Sequence, residues 1–247
     1  MKKFIITLLI YMLFSTATYS LTVTEILQKS DDIMRGKTSI SELEMIVKTK
    51  RWTRTVKMKT WSKGTKKSFI KITYPSRDKG ITFLKLDTEM WQYVPKIERQ
   101  IKIPPSMMLQ SWMGSDFTND DLVKESSIVE DYDSKLLSEG EIHYEIELIP
   151  KPESAVVWGK IIYYVDVKTF LPVKEEFYDE DGELINILTF SDVKKFNDRL
   201  FPSKMVMIPQ TEDKKGNSTT IIFRKMQFNV PIRNSIFTLQ SLKTMSK

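Results

Sequence analysis

The spacing of apolar and polar positions changes character twice along the chain. Between Thr22 and Arg35 the apolar residues Ile26, Leu27, Ile33 and Met34 recur at helical spacing, Thr24 stands as N-cap before Glu25, and Gly36 can end the run. That pattern predicts one amphipathic helix over 22–35. From Leu43 onward the period drops to two, in short runs separated by Gly, Pro, Asp or Asn. Strands are predicted over 42–49, 54–61, 68–74, 81–86, 89–94 and 97–103, and again over 142–149, 159–167, 172–178, 184–191, 203–209 and 218–227. Turn residues at Lys63-Gly64, Lys79-Gly80, Glu180-Asp181-Gly182 and Lys215-Gly216-Asn217 sit where hairpin connections are needed. Between the halves, Pro104-Pro105 and Gly114 bracket Ser106 to Met113, which predicts a short helix. A second short helix is predicted from Thr118 or Asn119 to Lys124, with Asp120 and Asp121 in its first turn.

Many consecutive antiparallel strands with few helices predict a mainly β (α+β) fold, built on one large curved sheet or open barrel. The helices can bury their apolar faces only against its concave side. The strand 142–148 is dry on one face (Ile142, Tyr144, Ile146, Leu148) and wet on the other (His143, Glu145, Glu147). Residues 161–165 and 205–208 are apolar on both faces and need cover on both. An apolar hollow is therefore expected, lined by inward residues of strands near Leu43, Met45, Val47, Trp91, Tyr93, Ile146, Tyr163, Met205 and Met207. Its movable lid would be the methionine-rich segment carrying Met107, Met108, Trp112 and Met113.

The first twenty residues read differently. Lys2 and Lys3 precede an apolar run from Phe4 to Phe14 and then a small-residue stretch to Ser20, the layout of a secretory signal peptide. The run falls short of the roughly 20 residues that span a bilayer. Cleavage is expected after Ser20, or after Ala17, leaving a single domain over 21–247 outside the cytoplasm; an uncleaved anchor is the alternative.

Composition narrows the chemistry. The chain has 247 residues, no cysteine and one histidine, His143, which removes disulfides, cysteine-ligated metals, thiol nucleophiles and histidine-based metal clusters. Neither Gly-x-Ser-x-Gly, a phosphate-binding glycine loop nor His-Glu-x-x-His occurs. Carboxylate pairs such as Asp120/Asp121 and Glu175/Glu176 read as caps, turns and wet strand faces. No enzyme, cofactor or metal is expected. Charge is polarised behind a net +6: eleven Lys/Arg and no acid lie between Met45 and Arg77, whereas eleven acids and only Lys124 and Lys135 lie between Asp116 and Glu147. The basic segment 48–77 suits an anionic membrane surface or an acidic partner. Trp52 and Trp61 within it would also suit single-stranded nucleic acid, but an exported chain does not meet it, and no nucleic-acid partner is expected.

One stretch carries a more specific signal. Trp91-Gln92-Tyr93-Val94-Pro95, then Arg99 and Ile101, then Ser111-Trp112-Met113-Gly114-Ser115-Asp116-Phe117-Thr118-Asn119-Asp120-Asp121-Leu122 resembles the signature of the outer-membrane lipoprotein-sorting protein family, relatives of the LolA and LolB carriers. Further matches follow from Tyr144 to Lys151, at Val165-Asp166, and from Leu171-Pro172 to Gly182, so that the likeness runs over about residues 40 to 240. The resemblance makes Arg99, Gly114, Asp116, Phe117, Asp121 and Leu122 family-motif residues. It implies an unclosed barrel of about eleven strands with helices in its concave face, and a cavity for acyl chains of lipoproteins or other lipids in transit through the periplasm. Some members look like partners of lipid-exporting membrane pumps. The resemblance thus leaves two functions: a periplasmic lipid carrier, or an adaptor of an inner-membrane transporter without cargo of its own.

Overall fold

A computed structural model describes residues 21–123, 128–152, 154 and 156–247. The expected export signal and Lys124, the expected end of the second helix, lie outside these residues. Helix α1 spans Val23–Arg35. Its N-cap is Thr22, not Thr24: the Thr22 hydroxyl accepts from the Glu25 amide while the Glu25 carboxylate accepts from the Thr22 amide at 2.8 Å. This capping box satisfies two backbone donors that the first turn leaves free. At the other end Arg199 Nη1 donates to the carbonyls of Asp32 (2.7 Å) and Ile33 (2.9 Å). Gly36 follows with φ 66°, and a Cβ there would lie 3.0 Å from Asn229 Oδ1, so both conformation and space call for glycine.

Six strands come next: β1 (Thr38–Lys48), β2 (Thr53–Lys63), β3 (Lys67–Tyr74), β4 (Thr82–Leu86), β5 (Glu89–Val94) and β6 (Arg99–Ile103). Short helices α2 (Asn119–Val123) and α3 (Ile128–Asp131) precede seven more: β7 (Tyr132–Glu139), β8 (His143–Pro150), β9 (Lys160–Asp166), β10 (Pro172–Tyr178), β11 (Leu184–Phe196), β12 (Arg199–Pro209) and β13 (Ser218–Phe228). Helix α4 (Leu239–Thr244) ends the fold. The strands form one 13-stranded antiparallel sheet in the order β6-β5-β4-β3-β2-β1-β13-β12-β11-β10-β9-β8-β7. The first strand pairs with the last, so two meanders join at β1–β13, and β6 and β7 are left as edges of a sheet that does not close. The open antiparallel sheet is as expected, with thirteen strands instead of about eleven.

Alternation along each strand gives the sheet two faces. On the inner face of the first meander, Leu43, Met45, Val47, Val56, Met58, Ile70, Ile72 and Phe83 pack with Met90, Ile103 and Trp112. In the second, Ile146, Leu148, Ile161, Tyr163, Val165, Phe177, Leu188 and Met207 pack under Ile26 and Leu27 of α1. The alternate residues Phe69, Leu84 and Tyr93 face outward and are covered by Phe237 and Leu242 of the C-terminal segment, where Thr82 Oγ1 donates to the Leu242 carbonyl at 2.7 Å.

Three expectations are corrected. Residues 106–113 form no α-helix: one 3₁₀ turn, Pro105–Met107, precedes a loop closed by a bridge between Ser111 and Thr118, and a second, Trp112–Gly114, lies within that loop. The Ser111 and Ser115 hydroxyls bond to nearby carbonyls, and Met113 (φ 50°) and Gly114 (φ 72°) turn the chain left-handed, which breaks a helical ladder. Strand β7 was not foreseen because its sequence YDSKLLSE is polar and mostly exposed, the property of a charged sheet edge. Ile142, expected on a dry face, is 67% exposed, because β8 begins one residue later.

Candidate functional site

The two inner-face cores do not merge into a single solid. Ile221 of β13 touches both, and between them lies an apolar cavity of about 380 Å³. Its floor is the sheet: Leu43 and Met45 of β1, Met58 of β2, Ile70 of β3, Ile221 and Phe223 of β13, Met205 and Met207 of β12, Leu188 and Phe190 of β11, Phe177 of β10 and Tyr163 of β9. Its roof is α1 (Met34, Arg35), Trp112 and Phe117 from the connection between the meanders, Asp120 and Asp121 of α2, and Ile128 of α3.

The roof is fastened at few points. Trp112 packs into the first core, its ring 5.3 Å from that of Phe83, while Phe117 packs into the second. Arg54 Nη2 donates to the Met113 carbonyl. Asp116 is tied to β13 twice: its amide donates to Thr219 Oγ1 at 2.9 Å, and that hydroxyl donates to its carboxylate at 2.7 Å. Thr118 and Asp121 cap α2 reciprocally, with Thr118 N to Asp121 Oδ2 at 2.7 Å and Asp121 N to Thr118 Oγ1 at 3.0 Å. On α1, Ser30 Oγ bonds the Tyr163 hydroxyl across the cavity edge at 2.9 Å.

Polar groups gather at two ends of the lining. At the α2 end, burial pushes the Glu175 carboxyl up to about 8, with the Asp121 charge adding and Arg35 opposing. Burial likewise lifts Asp121 to about 6 against its bonds to Thr118. Glu175 stands between Tyr163 of β9 and Leu188 of β11 on the inner face. At the other end, hydroxyls of Ser39, Ser41, Thr60, Ser62 and Ser68 line the cavity beneath the C-terminal turn of α1. Among the described residues no group of three or more acidic or histidine side chains is placed to hold a metal ion.

Of the residues singled out from sequence, Leu43, Met45, Trp112, Tyr163, Met205 and Met207 line the cavity. Val47 and Ile146 are buried in the two cores beside it. Trp91 and Tyr93 are on the outer face, against the C-terminal segment, because β5 turns Met90 and not its neighbours inward. Met108 and Met113 pack against the first core without lining the cavity, and Met107 is exposed. Among the motif residues, Gly114, Asp116, Phe117 and Asp121 build the roof, and the side chain of Leu122 lies outside the described residues. Arg99 is exposed on the edge strand β6 and does not reach the cavity. The sequence reading missed Glu175, the serine end and the aromatic floor of Phe201 and Phe223. Period-two alternation from Ser39 through Val47 could have placed the serines on the Leu43–Met45 face.

A family model described as "Uncharacterized protein" matches residues 64–244. No curated protein matches the chain. Among solved structures, an outer membrane lipoprotein-sorting protein domain from Vibrio parahaemolyticus is similar at 26% identity and TM-score 0.78, over 89% of this chain and 97% of that one. A DUF1329 family protein from Desulfovibrio piger is similar at 23% identity and TM-score 0.80, over 89% and 97% of the two chains. A LolA superfamily protein from Nitrosomonas europaea gives 21% identity and TM-score 0.77, over 90% and 100%.

Proposed function

We propose, for a chain that belongs to the family matched over residues 64–244 and has the fold of the lipoprotein-sorting proteins, that it is an exported periplasmic carrier or acceptor of lipid-modified cargo. The observation that carries this reading is the apolar cavity between two separate cores under a roof fastened by a few hydrogen bonds. Acyl chains need no catalytic group to be held: each buried methylene contributes about 0.8 kcal/mol, so roughly ten of them supply about 8 kcal/mol, the scale of micromolar binding before association costs. Lifting Trp112 and Phe117 would trade their apolar contacts for those of the chain, which keeps loading and release near balance. Among the described residues no helix is long and apolar enough to cross a membrane.

Delivery needs a docking face. Trp52, Arg54, Tyr74 and Arg77 surround an open cleft at the tips of the β1–β2 and β3–β4 turns, with Trp52 and Tyr74 each nearly half exposed. Exposed aromatic rings among cations suit the headgroup layer of an anionic membrane, and we place docking there. Native mass spectrometry of gently purified mature protein tests the carrier: co-purified lipid or lipoprotein is expected. An empty protein recovered only with a transporter would replace the carrier with the adaptor.

A further inference from the structure

The inner face of β1–β3 is graded in layers that the strand register fixes. Met45 opposes Val56, and Leu43 opposes Met58, which opposes Ile72; these layers are wholly apolar. One step along, Ser41 opposes Thr60 and Thr60 opposes Ile70, with the two hydroxyls bonded to each other at 2.6 Å. The next layer is all hydroxyl: Ser39 opposes Ser62, and Ser62 opposes Ser68. Ser39 and Ser68 are more than nine-tenths buried, at 8% and 7% exposure, and all three line the cavity. Unlike Ser41 and Thr60, these three side chains make no hydrogen bond within the chain among the described residues. Ser62 is half-buried, and none of the three hydroxyls is a fully enclosed atom without a partner, so the row stands open to the hollow, where water or a ligand group satisfies it.

We propose that this serine row reads the uncharged linkage at the head of the bound chain, the ester carbonyls and glycerol hydroxyls of an acylglycerol. This rests on the carrier reading and names the chemical class of its ligand. Hydroxyls donate to ester oxygens and accept from glycerol, whereas a free carboxylate or amine buried there would need a counter-charge. The charged lining groups at that end, Asp31 and Arg35, are already ion-paired at 2.6 Å. Asp120, Asp121 and Glu175 belong to α2 and β10. An acylglycerol so held lays its chain along Leu43, Met58 and Ile70 toward Ile221 and Met205.

The test compares wild type with S39A/S62A/S68A and with S62A alone, using N-phenyl-1-naphthylamine as an apolar dye and monolaurin as the displacing ligand. Removing unpartnered hydroxyls is expected to leave the melting temperature unchanged or raised and dye affinity unchanged. Displacement by monolaurin should weaken roughly ten-fold or more in the triple variant, the scale of a few net hydrogen bonds, and less in S62A. Equal monolaurin affinity in wild type and a folded, dye-binding triple variant would overturn the serine row alone. Failure of wild type to bind either dye or monolaurin would overturn the carrier reading and the row together.

Discussion

Of the two neighbouring carboxyls in the cavity wall, Asp121 and Glu175, burial shifts that of Glu175 further. Its neighbour Glu176 points outward, where Lys174 pairs with it at 2.8 Å and the Tyr178 hydroxyl donates to it at 3.1 Å. Glu175 instead faces apolar floor residues, and burial raises its carboxyl from 4.5 to about 8. A raised carboxyl favours folding while it stays protonated. Its contribution is complete below about pH 4.5 and is lost as pH climbs through about 8. Asp121 adds a loss in the same direction between about 3.8 and about 6. Wild type should therefore melt progressively lower from pH 5 to pH 9, and Glu175→Gln should flatten that decline, melting several degrees above wild type at pH 9. Thermal melts across that range decide it, and parallel curves would show that Glu175 ionises freely. From sequence the Glu175/Glu176 pair was legible only as two carboxylates on a strand. Which one faces inward depends on the register shift between Pro172 and Lys174, and no composition rule announces a bulge.

Elements were legible wherever a local signal fixed them and opaque where tertiary contacts did. The pattern Thr22-x-x-Glu25 is a capping box, and passing it over for Thr24 misplaced the N-cap of α1 by two residues. Thr22→Ala should cost about 1 kcal/mol, whereas Thr24→Ala, exposed inside the helix, should stay within about 0.5 kcal/mol. Urea unfolding monitored by circular dichroism separates the two, and equal effects would mean that the cap does not anchor α1. Twelve strand runs were readable, all but the edge strand β6 because at least one face is dry. Strand β7 was not readable, since it pairs only with β8 and spends most of its length in solvent. The connection 104–118 misled for a different reason: its apolar density suits a helix, yet its serines and left-handed turn spend that density on Trp112 and Phe117, one for each core. The inner lining divided in the same way. The strand positions Leu43, Met45, Tyr163, Met205 and Met207 follow from alternation, whereas Trp91 and Tyr93 were placed inside only because nothing in the sequence says that the C-terminal segment folds back over the outer face.

At the scale of the whole molecule, the charge polarity seen along the chain becomes partly internal and partly directional. On the outer face Glu42 and Glu44 of β1 pair with cations of the strands on either side, Glu44 with Lys57 (3.0 Å) and Arg224 (2.6 Å), and Glu42 with Lys225 (2.9 Å) and, at 4.0 Å, Lys59, so that these acids hold only two cations of the basic run. At one end of the first meander Lys50 and Arg51 in the β1–β2 turn, with Arg77 and Lys79 in the β3–β4 turn, are exposed, and Asp78 is the acid beside Arg77 at 3.3 Å; Lys63 and Lys66 are exposed at the opposite end, about the β2–β3 turn. The outer-face pairs hold the sheet's own charges in register, whereas the tip cations are available to an external surface. Each Lys or Arg near an anionic bilayer contributes about 1 kcal/mol, and the attraction decays over a Debye length of about 10 Å at 0.1 M salt. The protein should therefore co-sediment with vesicles containing phosphatidylglycerol and not with pure phosphatidylcholine, and release as salt rises from about 0.05 to about 0.5 M. Arg77→Ala should weaken the association roughly five-fold, and Trp52→Ser should weaken it at high salt as well as low, because a ring in the headgroup layer is not screened. Lys225→Ala serves as the control: it removes the same charge from the outer face, where Glu42 already holds it, and should leave vesicle binding near wild type. Equal losses from Arg77→Ala and Lys225→Ala would mean that net charge alone, and not the cleft at the strand tips, directs the protein to the membrane.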